Sequence, residues 1–226
     1  MNTTRIEDGL TNTTKKSPFG NYIAACPTNV HSYFNNFDTY TAADWLVDRV
    51  GTGTTALVNG NGGLVTITNS ALNGDYVVNN KNKDSFLVAA GKPIWFSSRL
   101  KISDTILSLL IIGLKVGSET VGALVSGIFF IKELGTPNLS FKLMDSLGIN
   151  ENTNVCTMVS NQFTELSFFY NGSDRVEVFC NGDYVTFLNL DNMPFGTTLT
   201  PAFGIYSAES AIKTLTVDYI FSSKAR

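Results

Sequence analysis

From residue 42 to the C-terminus, short runs of β-branched and aromatic residues alternate with Gly-, Asn- and Asp-rich breaks, at a spacing of about ten residues. Leu64-Val65-Thr66-Ile67-Thr68 is the cleanest run: Val65 and Ile67 point one way, Thr66 and Thr68 the other. A period of two is the mark of a strand, because successive side chains leave a strand on opposite faces. Further strands are expected at 44–50, 56–58, 76–78, 85–88, 94–102, 109–116 and 127–132. The last third adds 139–144, 155–159, 164–170, 175–180, 184–188, 201–206 and 214–222. The near-continuous apolar runs at 109–116 and 127–132 fit strands covered on both faces. A helix over 106–114 is disfavoured by its β-branched pairs and the internal Gly113.

Two Asn-Gly pairs, Asn171-Gly172 and Asn181-Gly182, separate strand-like runs, and this dipeptide accepts the positive φ angles of a tight hairpin. They predict a meander over 166–187, with Val176, Val178 and Cys180 on one face of its middle strand and Arg175, Glu177 and Phe179 on the other. No amphipathic helix of three turns is present, and no internal repeat. The pattern predicts an all-β chain folded as a two-sheet antiparallel β-sandwich.

The first forty residues read differently. Residues 1–17 are Thr- and Asn-rich without apolar periodicity, whereas 18–40 carry Phe19, Tyr22, Tyr33, Phe34, Phe37 and Tyr40 between short polar links. The expectation is an extended N-terminal arm over 1–40 and a sandwich domain over 41–226. The six aromatics are the anchor candidates, either for a partner surface or as a strap over the chain's own sandwich.

Composition narrows the function. Charged residues are only 15% of the chain, against roughly 25% in ordinary domains, so Asn, Thr, Ser and Gly must supply the polar surface. Net charge is −3, and no basic cluster exceeds Lys15-Lys16, so the electrostatic footprint of a nucleic-acid binder is missing. Cys26, Cys156 and Cys180 lie in no metal-ligand spacing and are expected as three reduced, packed thiols of a protein made in the cytoplasm. Residues 1–16 lack the apolar stretch of a secretory leader, and the apolar run 106–116 is too short to span a bilayer. Synthesis in a bacterial cytoplasm without secretion, and no membrane partner, are therefore expected.

No constellation for catalysis, cofactor or metal emerges. His31 is the sole histidine, so neither a multi-histidine metal site nor a nucleophilic triad elsewhere can be built. A glycosidase needs two carboxylates close together. The glutamates are isolated from one another, and only Glu165 and Glu177 are candidates to approach across the predicted hairpin. Asp174, Asp183 and Asp191 sit at turns, where Asp is favoured for its own backbone hydrogen bonds. Trp45 and Trp95 lie inside predicted strands and are expected in the core rather than on a sugar-binding platform.

Two resemblances add to this reading. The segment Tyr170-Asn171-Gly172-Ser173-Asp174-Arg175-Val176-Glu177-Val178-Phe179-Cys180-Asn181-Gly182-Asp183-Tyr184-Val185 resembles a hairpin of concanavalin A-like and laminin-G-like sandwiches, which implies a jelly-roll fold and no particular function. More of the chain is similar to a family of virion structural proteins of tailed bacteriophages, especially short-tailed phages of aquatic bacteria. The residues that carry this are Ser17-Pro18-Phe19-Gly20 and the run from Pro27 through Asn35-Asn36-Phe37-Asp38 to Asp44-Trp45. Gly53-Thr54-Thr55-Ala56-Leu57, Phe86-Leu87-Val88-Ala89-Ala90-Gly91-Lys92 and Lys213-Thr214-Leu215-Thr216-Val217-Asp218-Tyr219-Ile220-Phe221 extend it. The resemblance implies residence in the virion, as a head decoration (cement) protein on the capsid surface. Its partners would be the major capsid protein and other coat subunits, with a homo-oligomeric state, trimer or dimer, and no catalytic residues. A tail, neck or fibre component is the alternative within the particle, and a carbohydrate-binding module for host attachment is the alternative outside it.

Overall fold

The computed structural model describes residues 29–60, 62–117 and 125–226. Sixteen strands among them form two eight-stranded antiparallel sheets. Sheet A contains β1 (Val30–Asn35), β3 (Thr54–Val58), β4 (Leu64–Thr68), β7 (Ile94–Ile102), β12 (Thr164–Tyr170), β13 (Arg175–Cys180), β14 (Asp183–Asn189) and β16 (Thr214–Ala225). Sheet B contains β2 (Trp45–Val50), β5 (Tyr76–Lys81), β6 (Phe86–Leu87), β8 (Ser108–Lys115), β9 (Gly127–Lys132), β10 (Asn138–Asp145), β11 (Gly148–Thr157) and β15 (Thr198–Ser207).

In space, sheet A runs β14-β13-β12-β7-β16-β4-β3, with β1 on the same edge of β16 as β4 but further along it. Sheet B runs β11-β10-β9-β8-β15-β5-β2, with the short β6 paired to β15. The result is a jelly-roll sandwich. Alternate residues of each strand meet between the sheets. Phe96 and Phe168 from sheet A stack 5.3 Å apart, Phe168 lies 5.3 Å from Phe141 of sheet B, and Phe141 lies 4.9 Å from Phe130. Each such ring, fully removed from water, contributes about 2–3 kcal/mol.

Buried cations are found where acceptors surround them. Lys132 is wholly buried, and its ammonium donates to the carbonyls of Thr105, Glu133 and Thr136 at 2.8, 2.9 and 3.1 Å. Burial still pulls its pKa down to about 8. Lys213 is paired with Asp104 at 2.5 Å and with Glu209.

Three expectations change. The boundary at residue 40 moves, because β1 is an integral strand: Val30 to Asn35 pair with Ala225 back to Ile220. Its side chains alternate in and out of the sandwich, which the even spread of aromatics in the sequence did not disclose. The expectation of three reduced cysteines is corrected, since Cys156 of β11 and Cys180 of β13 form a disulfide that joins sheet B to sheet A. Cys26 lies outside the described residues. The two hairpin turns also differ from one another. Asn181 and Gly182 both take positive φ, 52° and 81°, as a two-residue turn requires. The other loop is longer, and Asn171 closes it by accepting the backbone N–H groups of Ser173 and Asp174 on its side-chain oxygen.

Candidate recognition surface

The outer face of sheet A carries a set of aromatic and hydrogen-bonding side chains. Strand register arranges them as a grid. One row reads Phe179, Ser167, Ser97, Phe221, Phe34 across β13, β12, β7, β16 and β1. The next reads Glu177, Phe169, Trp95, Ser223, Ser32, and a third brings together Glu165, Arg99 and Tyr219. Neighbouring strands are about 4.8 Å apart, so side chains along a row touch.

Small hydroxyls occupy the centre of this grid and rings flank it. Ser167 and Ser97 are buried, and the Ser167 hydroxyl donates to Ser97 Oγ at 2.8 Å. Ser97 Oγ in turn lies 3.1 Å from the Tyr219 hydroxyl. Burial pushes Tyr219 up to about 12, against the opposing hydrogen bond from Ser97 and with the nearby Glu165 charge adding to the rise. Trp95 stacks on Phe169 with ring centres 4.2 Å apart. Phe34, 61% exposed, leans on Tyr219 and Phe221 at 6.4 and 6.5 Å. At one end Arg99 pairs with Asp218 at 2.5 Å and stands 4.1 Å over the Phe163 ring, with the Lys101 ammonium 4.9 Å from that ring.

The anchor candidates divide. Phe19 and Tyr22 lie outside the described residues. Tyr33 turns inward and meets Trp45 edge-on at 6.5 Å. Phe37, 1% exposed, stacks on Trp45 and meets Phe203 of sheet B edge-on. Tyr40 lies parallel to Trp45 and donates its hydroxyl to Asn79 Oδ1 at 3.1 Å. These three pack within the chain's own sandwich. Phe34 alone among the described four faces outward. His31 packs against Phe86 at 4.8 Å, and burial lowers its pKa, with Arg226 and Lys224 adding to the fall.

Trp45 sits in the core as expected, whereas Trp95, equally buried, belongs to the outer face. Alternation places it there, since Ile94 and Phe96 face inward. The earlier pull toward the core came from its aliphatic sequence neighbours. Glu165 and Glu177 share this outer face, but Glu177 stands opposite Phe169, four residues along β12 from Glu165. That separation is about 13 Å, beyond the spacing of an acid pair that cleaves glycosidic bonds. Glu177 is paired with Arg175 at 2.8 Å, and Lys142 holds Glu133 and Glu151 at 3.0 and 3.1 Å. Among the described residues no three His, Cys, Asp or Glu side chains converge as a metal site, and no helix is long and apolar enough to cross a membrane.

No protein-family model matches the chain, and no curated protein matches it in sequence. Solved structures do match it in fold. A protein of unknown function from Shewanella oneidensis MR-1 superposes with a TM-score of 0.62 at 11% identity, over 87% of each chain. SCLam, a non-specific endo-β-1,3(4)-glucanase of family GH16, gives 0.63 at 11% identity, over 90% of this chain and 94% of the enzyme. A structure of botulinum neurotoxin type C, whose cell entry depends on two ganglioside molecules, gives 0.56 at 12% identity, over 86% of this chain and 47% of that one. At such identities the likeness is one of fold alone.

Proposed function

We propose that this chain is a non-catalytic structural protein of a tailed-phage virion, a head decoration or cement protein that binds the major capsid protein shell. A tail, neck or fibre position is the same reading at another place in the particle. The observation that carries it is the pair of edge strands β2 and β3, each paired on one side only, which expose large apolar side chains at one flank of the sandwich. Leu46, Val47 and Val50 are 52, 37 and 51% exposed, and Leu57 and Val58 are 44 and 41% exposed. An edge strand with no neighbour and with apolar side chains in solvent offers a template for contact with another chain. The non-catalytic part of the reading is supported by the ion pairs that occupy Asp218, Glu177, Glu133, Glu151, Asp104 and Glu209.

Mixing purified protein with undecorated heads tests it. Saturable binding at a copy number set by the capsid lattice is expected, and Leu46→Lys with Leu57→Lys should lower occupancy at least tenfold while the sandwich stays folded. Removal of residues 1–28, which carry Phe19 and Tyr22, measures what the arm adds. Absence of binding by the intact protein to heads, tails or assembled particles would sink the reading.

One observation favours a second reading, glycan recognition for host attachment. The exposed Phe34 and the half-buried Phe169 and Phe221 of sheet A, with Arg99 and Glu165 at one end, are rings of the kind on which sugars stack. Its fold relatives include a glucanase and a ganglioside-dependent toxin. A glycan array probed with wild type and Phe34→Ala separates the two: a hit weakened by the substitution supports glycan binding, and an empty array removes it.

A further inference from the structure

The Cys156–Cys180 bond joins the two sheets at one flank of the sandwich. Cys156 is on the edge strand β11 and Cys180 is the last residue of β13, followed at once by the Asn181-Gly182 turn. Their Cα atoms are 5.8 Å apart, and the bond closes a loop of sequence separation 24. Beside the bond the two sheets also meet through side-chain amides: Asn150 donates to the carbonyl and side chain of Asn189, and Asn152 donates to Thr186 Oγ1 at 3.1 Å. The aromatic core does not depend on either sulfur, since its stacked rings come from β7, β9, β10 and β12. The thiol form can therefore fold, and the bond adds a covalent tie between sheets that are already packed.

We propose that this pair is a redox clamp, open as two thiols in the reducing cytoplasm where the chain is made and closed once the protein meets an oxidising medium. The timing, closure on release of the particle, rests on the virion reading; the clamp itself does not. Exposure sets the order of events. Cys156 is 6% exposed, whereas Cys180 is only half-buried, so Cys180 meets a small oxidant first. With a low-molecular-weight disulfide as oxidant, the Cys180 thiolate attacks one sulfur, forms a mixed disulfide and releases one small thiol. Cys156 then attacks the Cys180 sulfur, the mixed S–S bond breaks, and the second small thiol leaves. Two protein thiols lose two electrons to the S–S bond of the oxidant, and the two protons end on the released thiols.

Purified full-length protein carrying Cys26→Ser is reduced, then titrated with glutathione disulfide and read by intact mass after alkylation. Loss of both alkylatable thiols with no retained glutathione is expected. Cys156→Ser should retain one glutathionyl group on Cys180, and Cys180→Ser should retain at least several-fold less on Cys156. Oxidised protein should also melt roughly 5–10 °C above the reduced form. Thiols that stay alkylatable under excess oxidant, or equal melting of the two forms, would overturn the clamp. Equal glutathione capture by the two single variants would overturn the order. Alkylating the protein inside cells and again after release tests timing separately. The same redox state in both fractions refutes release-triggered closure, and a bond already closed inside cells also overturns the open state proposed there.

Discussion

The two flanks of the sandwich are closed by different chemistry. On the β2/β3 side the chain supplies a wedge of rings from the segment just after β1. Phe37 and Tyr40 lie against Trp45, and Asn79 beneath them donates to Thr55 Oγ1 at 2.9 Å while accepting from Tyr40. Phe37 holds a positive φ of 55°, an unfavourable backbone state for a residue with a side chain, which costs about 1–2 kcal/mol. Burial of its ring offsets that by about 2–3 kcal/mol. On the β11/β14 side no ring fills the seam. A disulfide and half-buried amides hold it beside the aliphatic Val155 and Leu188. An apolar wedge acts wherever water is present, whereas a disulfide acts only where the medium is oxidising, so the second flank alone is conditional.

The ring wedge carries the larger share of stability. Phe37→Ala should cost about 3–5 kcal/mol in denaturant unfolding, in reducing and oxidising buffer alike. Replacing both Cys156 and Cys180 by Ala should cost about 3 kcal/mol in oxidising buffer and almost nothing in reducing buffer. Asn79→Ala leaves Tyr40 and Thr55 without their buried partner and should cost about 1–2 kcal/mol.

Acid sharpens the contrast through a group on neither flank. Burial works to raise the Asp104 carboxyl, but Lys213 and the backbone N–H groups of Ile106 and Leu107 outweigh it and hold it down at about 2. A carboxyl whose folded pKa is depressed stabilises fully above its ordinary value and loses that contribution as pH falls toward 2. An acid limb of about 1 kcal/mol after solvent screening is expected between pH 4 and pH 2, by thermal melts. Asp104→Asn should flatten it, and both flank variants should keep it. Asn152→Ala, which removes one half-buried amide contact to Thr186, should cost about 0.5–1 kcal/mol.

Much of the fold was legible. The observed bounds of β4, β7, β9, β12 and β13 coincide with the runs marked by alternation or by continuous apolarity, because those strands bury one or both faces. The first half of β11, Gly148 to Asn154, was not legible. Its burial alternates between half-buried and exposed positions, but Gly and Asn fill the half-buried ones, so the alternation leaves no hydrophobic mark in the sequence. β1 was missed for the opposite reason: its inward Tyr33 and outward Phe34 are both aromatic, so side chemistry does not report facing.

Sequence alone determined that this protein is a stack of strands, since a period of two and glycine-marked turns are local properties that each segment carries wherever it ends up. It also determined that Val176, Val178 and Cys180 share a face, which places the Cys180 sulfur toward the other sheet. Only the tertiary structure decided that Cys156 waits there, that the ring of Phe37 plugs the opposite seam, and that Ser97, Ser167 and Tyr219 meet on one outer face. Each of these joins residues far apart in the chain, and strand order and register, which depend on how the whole core packs, leave no trace in any single stretch of residues.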